Sequence, residues 1–392
     1  MPDGAPQAKA STLLNLLALG NFAVGMGAFV VIGVITPIAE GLNVSKADAG
    51  IILTAYAIAY AVLSPVGAAL TGSFSRRAVL TGALALFCLG SVLSALAWSL
   101  PVLVVSRVLV AFGAALFTPL AAGLAVAISP PEQRGRALAK VFGGLTLAQV
   151  AGVPLGAWLA YRFGWHSTFW TVAALSAASA LVLFYAIPRN ISFQPTTLAS
   201  IVSSLKNGRL MLAVTFTATI MTAIYVVFTF FGPLIEASAG TNAETRTFYL
   251  VLFGIGAVIG NYIGGFLSDR IGPKRTLVII CAAHMLLMPL FSVIPWSPVG
   301  LALLIFVWSS FGWAFMAPQQ SRLVVIAPQV QALALALNAA MIYVGIAIGS
   351  GIAGRLLDWY GLAALGIAAG VMAAVALLHL LAAGQQTKVP SG

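Results

Sequence analysis

"GGFLSDRIGPKR", residues 264–275, sets Asp269, Arg270, Lys274 and Arg275 between two long apolar runs. A blurred copy, "GAALTGSFSRRA", occupies residues 67–78 and has Gly72 where the later copy has Asp269. A charged patch written twice inside an almost chargeless chain points to an internal duplication. The chain has 392 residues, of which 61% are hydrophobic and 7% charged, and its mean hydropathy is +1.06. Soluble domains carry about a quarter charged residues, so this composition faces lipid.

Apolar stretches long enough to cross ~30 Å of hydrocarbon recur from end to end. Twelve spans are expected, at about 13–39, 48–70, 79–97, 101–128, 137–161, 167–188, 210–232, 247–268, 275–293, 299–326, 332–356 and 361–383. They are too long for strands and lack the alternation of a membrane barrel, so the expected fold class is an all-α polytopic membrane protein. Residues 1–12 lack the cleavage site of a secretory signal. Cys88 and Cys281 lie within apolar segments and read as buried thiols, without a disulfide framework or metal cluster.

The net charge of +11 is scattered in pairs and triplets between spans, which is a topology pattern and not a nucleic-acid face. With a cytoplasmic N-terminus, the inner segments hold Lys9, Arg76, Arg77, Arg134, Arg136, Lys140, Arg189, Lys206, Arg209, Arg270, Lys274, Arg275 and Lys388. The outer segments hold only Lys46, Arg162, Arg246 and Arg355. That bias predicts both termini inside a bacterial-type cytoplasmic membrane. The longest polar connection, "RNISFQPTTLASIVSSLKNGR", divides the chain into an N-terminal six-helix bundle (1–188), a cytoplasmic linker (189–209), a C-terminal six-helix bundle (210–383) and a tail (384–392).

Further echoes keep nearly the same offset. "AFGAALFTPLAAGLAVAISP" (111–130) matches "SFGWAFMAPQQSRLVVIAP" (310–328), pairing Gly113 with Gly312 and Pro119 with Pro318, and Gly156 matches Gly354. A fold built from two such halves is expected to place a pathway at their interface.

At this point the residues resemble the major facilitator superfamily. "GFLSDRIGPKR" resembles the family's loop between the second and third helix of a half, "RVLVAFGAAL" (107–116) its arginine motif, and "GVPLGAWL" (152–159) its Gly-Pro antiporter motif. Together with "SPPEQRGRALA" (129–139), these resemble the twelve-helix drug/proton antiporter branch and its arabinose-efflux-permease-like exporters of sugars or drugs. The resemblance implies two six-helix bundles and proton coupling through Arg107. It also implies an inner gate in which the acid and arginines of the repeated patch, Asp269, Arg270, Arg76 and Arg77, meet a helix of the opposite half. Span five departs from the family motif, since Val153 separates Gly152 from Pro154.

Read without the resemblance, each residue has a plainer role beside the functional one. Arg107, about two turns inside a span, either snorkels to the outer headgroups or faces a cavity, because an arginine within lipid costs ~2.5–3.5 kcal/mol. Arg322 is expected to snorkel at the inner face. Gly152 and Gly156 present no side chain on one helix face and allow close approach, with Pro154 interrupting the backbone ladder between them. Asn21, Gln149 and Asn338 are amides near mid-membrane that need partners. With Tyr56, Tyr60, Tyr225, Phe228, Phe315 and Tyr343 they outline a candidate substrate pathway, although any one aromatic serves equally well in packing.

None of the eight acids falls near the centre of a span; the candidates for a protonatable group are Asp48 and Glu236 at outer helix ends, Asp269 at the inner face, and the histidines His284 in span nine and His379 near the end of span twelve, for which packing serves equally well. The anion Asp269 is expected at the N-terminal end of span five beside Arg134, Arg136 and Lys140, whereas the loop before span eleven, "APQVQALALAL", offers no cation to the Gly72 copy. The glycines of "FGIGAVIGNYIGG" (253–265) lie in a span rather than after a soluble strand, so they read as helix packing and not as a nucleotide loop.

The expected function is export of a small organic solute by a monomeric secondary transporter, with solute/proton antiport implied by the resemblance alone, and with no cofactor, no enzyme chemistry and no nucleic-acid partner. The proton gradient is the expected energy source, and membrane lipid and protons are the expected partners beside the solute. An uptake carrier or uniporter is the alternative within transport, and a receptor or scaffold the alternative outside it.

Overall fold

Inside hydrocarbon every backbone N–H and C=O must be satisfied within its own segment, which leaves helices as the solution for runs of this length. The computed structural model describes residues 4–71, 74–130, 133–188, 207–240, 242–293 and 295–385, and among these it contains helices and no strand. Twelve candidate spans result: Ala10–Phe29, Lys46–Ser64, Arg76–Ala95, Leu100–Ala127, Arg136–Phe163, Trp165–Ala186, Gly208–Ala239, Ala243–Ile271, Pro273–Ser292, Pro298–Ile326, Leu333–Tyr360 and Ala363–Ala383. Each overlaps an expected span. The first helix differs, because Gly4–Phe29 is followed after Val30 by a second apolar helix, Val31–Leu42.

Prolines account for most interruptions. Proline has no N–H and its ring crowds the carbonyl four residues back. Pro233 stands four residues after Thr229, where Gly208–Phe228 gives way to Phe231–Ala239. Pro318 stands four after Ala314, the last residue of Pro298–Ala314 before Met316–Ile326 begins. Pro154 stands four after Val150, inside the π-turn Ala148–Gly152 that joins Arg134–Leu147 to Val153–Phe163. Pro119 lies within Leu100–Ala127 without a break.

The repeated patch turns its two corners differently. In the later copy Gly272 adopts φ 88°, a conformation open to glycine, and Pro273 opens the next helix. In the earlier copy Ser75 takes the same place in extended conformation, and its side chain accepts a hydrogen bond from the Ala78 N–H at 3.3 Å. Gly72 itself lies outside the described residues, as does most of the linker.

The chain divides into two units: Met1–Val44 with Ala59–Thr196, and Ser45–Ile58 with Thr197–Gly392. In the first unit, spans one and five approach through small residues. A Cβ added to Gly144 would lie 1.9 Å from the Ala18 carbonyl oxygen, one on Gly156 would lie 2.2 Å from Val30 Cγ2, and one on Gly152 would lie 3.2 Å from Met26. The close approach expected of Gly152 and Gly156 is present, and span one is the partner. In the second unit, Gly256, Gly260 and Gly264 do the same on span ten, where added Cβ atoms would lie 2.0 Å from Ser309 Oγ, 1.9 Å from the Ser310 oxygen and 2.0 Å from the Ala314 oxygen. The glycine run 253–265 is therefore a helix-packing stripe.

The N-terminal part of span two, Ser45–Ile58, belongs to the second unit through specific contacts. Lys46 Nζ reaches Glu236 at 3.1 Å, Thr54 and Ser350 hydroxyls lie 2.7 Å apart, and the Tyr56 and Tyr343 rings are 6.1 Å apart.

Candidate functional site

Arg107 lies in Leu100–Ala127 and is completely buried. Its Nη2 donates to the Gly27 carbonyl of span one at 2.7 Å, and its guanidinium carbon sits 5.9 Å from the centre of the Phe169 ring. Snorkelling to the outer headgroups is thereby excluded for Arg107, because the side chain turns into the unit. Arg322 also departs from its expected snorkelling. It is 7% exposed, places its guanidinium 5.7 Å from the Phe216 ring centre and donates from Nη1 to Gln319 Oε1 at 3.4 Å. Aromatic and amide groups inside the second unit give it neighbours that the headgroup region would otherwise supply.

Both units contain a buried polar cluster at corresponding places. In the first, Asn21 Nδ2 donates to the Val141 carbonyl at 3.0 Å and Asn21 Oδ1 accepts from the Thr118 hydroxyl at 2.9 Å, which ties spans one, four and five. In the second, Thr217 donates to Asn338 Oδ1, while Gln319 Nε2 donates to the Ala213 carbonyl at 2.8 Å and to Thr217 Oγ1 at 3.0 Å, which ties spans seven, ten and eleven. Thr217 stands where Asn21 stands in the first copy. Each cluster holds helices together with its amides engaged. Thr217→Val should therefore orphan Asn338 and remove an acceptor from Gln319, at ~1–3 kcal/mol for each buried group left unmade. Thr215→Val, which removes only bonds to the same helix's backbone at Met211 and Leu212, should stay within ~0.5 kcal/mol. Thermal melting of the two purified variants checks the difference.

Gln149 is different. It lies in the π-turn of span five, 9% exposed, and among the described residues its side chain bonds to no protein group. A π-turn presents an extra residue on one face and commonly marks a functional place in a helix. Of the three amides expected along a pathway, Gln149 alone has a side chain without a protein partner among the described residues.

The aromatic candidates separate in the same way. Phe228 stacks on Phe253 at 4.6 Å, and both surround Trp308 with Phe231 and Phe291 at ring distances of 5.0–6.1 Å. That is a packed core, and Phe228 is 3% exposed within it. Phe315 is fully buried. Tyr225 borders the cluster at 5.4 Å from Phe228, and its hydroxyl is buried without a protein partner among the described residues. Tyr56 faces Tyr343.

The residues of the proposed inner gate are placed one by one. Arg76 is 7% exposed, Arg77 lies 4.0 Å over the Phe184 ring, and Asp269 and Arg270 are exposed near the end of Ala243–Ile271, with Arg270 4.4 Å over the Phe266 ring. Arg134 opens the helix Arg134–Leu147, and its side chain lies outside the described residues. No cluster of metal-ligating side chains occurs among the described residues.

Glu236 was expected as an acid at an outer helix end, and the structure adds the partners that the sequence reading did not name. Glu236 accepts from Arg246 Nη1 at 2.8 Å and from Lys46 Nζ at 3.1 Å, and these are the ion pairs found among the described residues. The signal was available in the repeat: "PIAE" ending at Glu40 and "PLIE" ending at Glu236 are copies, each acid three residues after a proline.

Comparison with known proteins agrees with this architecture. The family model described as Major Facilitator Superfamily matches residues 17–329. The chain is 30% identical over 374 residues to the MFS-type transporter YbcL of Bacillus subtilis, covering 93% of this chain and 95% of that one. It is 29% identical over 368 residues to the inner membrane transport protein YdhP of Escherichia coli K12, covering 93% and 94%. A solved structure, a bacterial homolog of the human lysosomal transporter Spinster in an inward-facing and unoccupied conformation, superposes with a TM-score of 0.77 at 17% identity, covering 98% of this chain and 99% of that one.

Proposed function

The chain belongs to the Major Facilitator Superfamily, and from that premise we propose that this multi-pass membrane transporter exports a small organic solute by alternating access in exchange for protons. Arg107 carries the antiport reading. A cation buried without exposure in a lipid-embedded unit, held by a backbone carbonyl, is expensive to keep unless the working cycle uses its charge. Gln149, Tyr56, Tyr225 and Tyr343 are the proposed solute contacts, on the strength of an amide with open valence and of aromatic surface that presents both apolar faces and hydroxyls. Asn21, Asn338 and Phe228 are proposed to support that surface from within the packed units.

The π-turn Ala148–Gly152 gives the mechanism a place to bend. With Pro154 removing one ladder donor, span five can change its local pitch while Gly152 and Gly156 stay against span one. The inner, basic-rich segments are proposed to face the cytoplasm of a bacterial-type inner membrane, with Asp269 and Arg270 as inner-gate residues.

The test is reconstitution of the full chain into liposomes with an imposed pH gradient and a panel of sugars, nucleosides, amino acids and cationic dyes. Uphill movement of one class that stops when the gradient is collapsed is the expected result. Saturable counterflow indifferent to the gradient would replace antiport by a uniporter.

A further inference from the structure

Among the eight acidic residues, Glu236 is set apart by burial. Its side chain is 6% exposed, whereas Glu40, Asp48, Glu244, Asp269 and Asp358 are exposed and Asp3 and Glu132 lie outside the described residues. Its copy Glu40 follows Pro37 as Glu236 follows Pro233, yet only the second copy is enclosed by cations. The repeat supplies the position; Lys46 and Arg246 supply the cage.

The two cations are unequal. Arg246, at the start of Ala243–Ile271, is 5% exposed and bonds to Oε1 from within the same stretch of chain that carries Glu236. Lys46 is 39% exposed, opens the helix Lys46–Leu70 and bonds to Oε2. Other described contacts of the first half of that helix are neutral: Gly50 against the Phe230 ring, the Thr54–Ser350 hydroxyl pair and the Tyr56–Tyr343 ring pair. Of the fastenings described, the one to Glu236 alone changes its charge when a proton arrives.

We propose that Glu236 is the site that takes up the coupling proton, and that its protonation releases Lys46 and with it the first half of span two; this rests on the antiport reading above. The proton adds to Oε2, the carboxylate becomes a neutral carboxyl and the ionic contact to Lys46 is lost. Two cations and one anion become two cations and none. The buried Arg246 retains a neutral carboxyl as acceptor, while the half-exposed Lys46 has water to turn to, so the repulsion is relieved by movement of the lysine. Deprotonation restores the anion and draws Lys46 back. The other charged groups nearby do not substitute for Glu236: Asp48 accepts from the Ser45 hydroxyl at 2.8 Å, Glu244 is exposed at the start of its helix, and Pro298–Ala314 contains no charged residue.

The experiment is a spin-label distance between Ile51→Cys and Phe248→Cys, both at exposed positions, in the full chain in nanodiscs with Cys88→Ser and Cys281→Ala and no solute. Between about pH 8 and about pH 4, limits that bracket ordinary carboxylate titration, the native cage should lengthen this distance by about one helical turn, ~5 Å. Glu236→Gln and Lys46→Met should hold the long distance at both limits, and Glu236→Asp should keep the response. A distance indifferent to pH in the native cage, or a pH response that survives Glu236→Gln, overturns the proposal. Failures are separable: gradient-driven exchange with a pH-indifferent distance removes Glu236 alone, whereas exchange indifferent to the gradient removes the antiport reading.

Discussion

Gly144→Ala is expected to cost ~3 kcal/mol, the upper end of what overpacking usually costs. The added carbon would stand 1.9 Å from the Ala18 carbonyl oxygen and 3.0 Å from the Phe22 nitrogen. Those neighbours are backbone atoms of span one, which have no rotamer to escape into, so two helices must separate along their whole contact. Such a loss corresponds to a melting midpoint lower by roughly 5–10 °C for a unit of this size. Gly143→Ala, one residue earlier, meets nothing within 4 Å. Alanine is ~1 kcal/mol better than glycine in a helix, so this neighbour should be neutral or stabilised. Gly260→Ala repeats the experiment in the second unit, where the added carbon would lie 1.9 Å from the Ser310 oxygen, and Gly123→Ala, with open space around it, is its control. Thermal melts and the monodisperse fraction on size exclusion read both pairs; equal behaviour of Gly144→Ala and Gly143→Ala would remove close packing as the reason for these glycines.

The contrast between residues 143 and 144 shows what a sequence can and cannot display. Span number and approximate position were legible because lipid imposes a minimum apolar length that survives in composition alone. The glycine stripe at 152 and 156 was legible too, since spacing by four fixes a shared face. Which helix that face meets was not written locally: Ala18, Met26 and Val30 lie more than a hundred residues away. The same holds for polar residues. Asn21, Gln149 and Asn338 look alike as isolated amides, and only the tertiary placement of Thr118, Val141 and Thr217 engages two of them and leaves Gln149 open.

Charges were hardest to place from the sequence. A basic residue near a helix end has two stable solutions, water or a buried partner, separated by one rotamer, and Arg322 took the second with Gln319 and Phe216 as neighbours. Glu236 lay at an outer helix end by sequence, but the cation that closes its cage, Lys46, is 190 residues earlier. The prolines mark helix breaks through a covalent rule that acts over four residues, so those breaks were within reach of sequence reasoning. That residues 45–58 cluster with the second unit depends on partners at Glu236, Tyr343 and Ser350, which no local pattern in span two displays.

Arg107→Met should yield a folded, stable and inactive protein, and that combination is what separates function from packing at this site. Methionine fills much of the same volume without charge, and it removes the ~2.5–3.5 kcal/mol cost of holding an arginine within a membrane helix. The Gly27 carbonyl would lose its 2.7 Å donor; its helix position offsets part of that loss, because a carbonyl inside a helix already accepts from its own backbone. A purely structural arginine would therefore be replaceable. If the charge is used in the cycle, gradient-driven exchange should fall ~100-fold, equivalent to ~2.7 kcal/mol in the limiting barrier. Arg107→Lys sharpens the comparison. It keeps the charge but concentrates it on a flexible point donor, without the planar fork that donates to Gly27 while lying near the Phe169 ring. Lysine should restore part of the exchange lost in the methionine variant if charge is what matters, and none of it if guanidinium geometry is what matters. Native exchange rates in Arg107→Met would assign the residue to packing and withdraw the main support for proton coupling through this part of the chain.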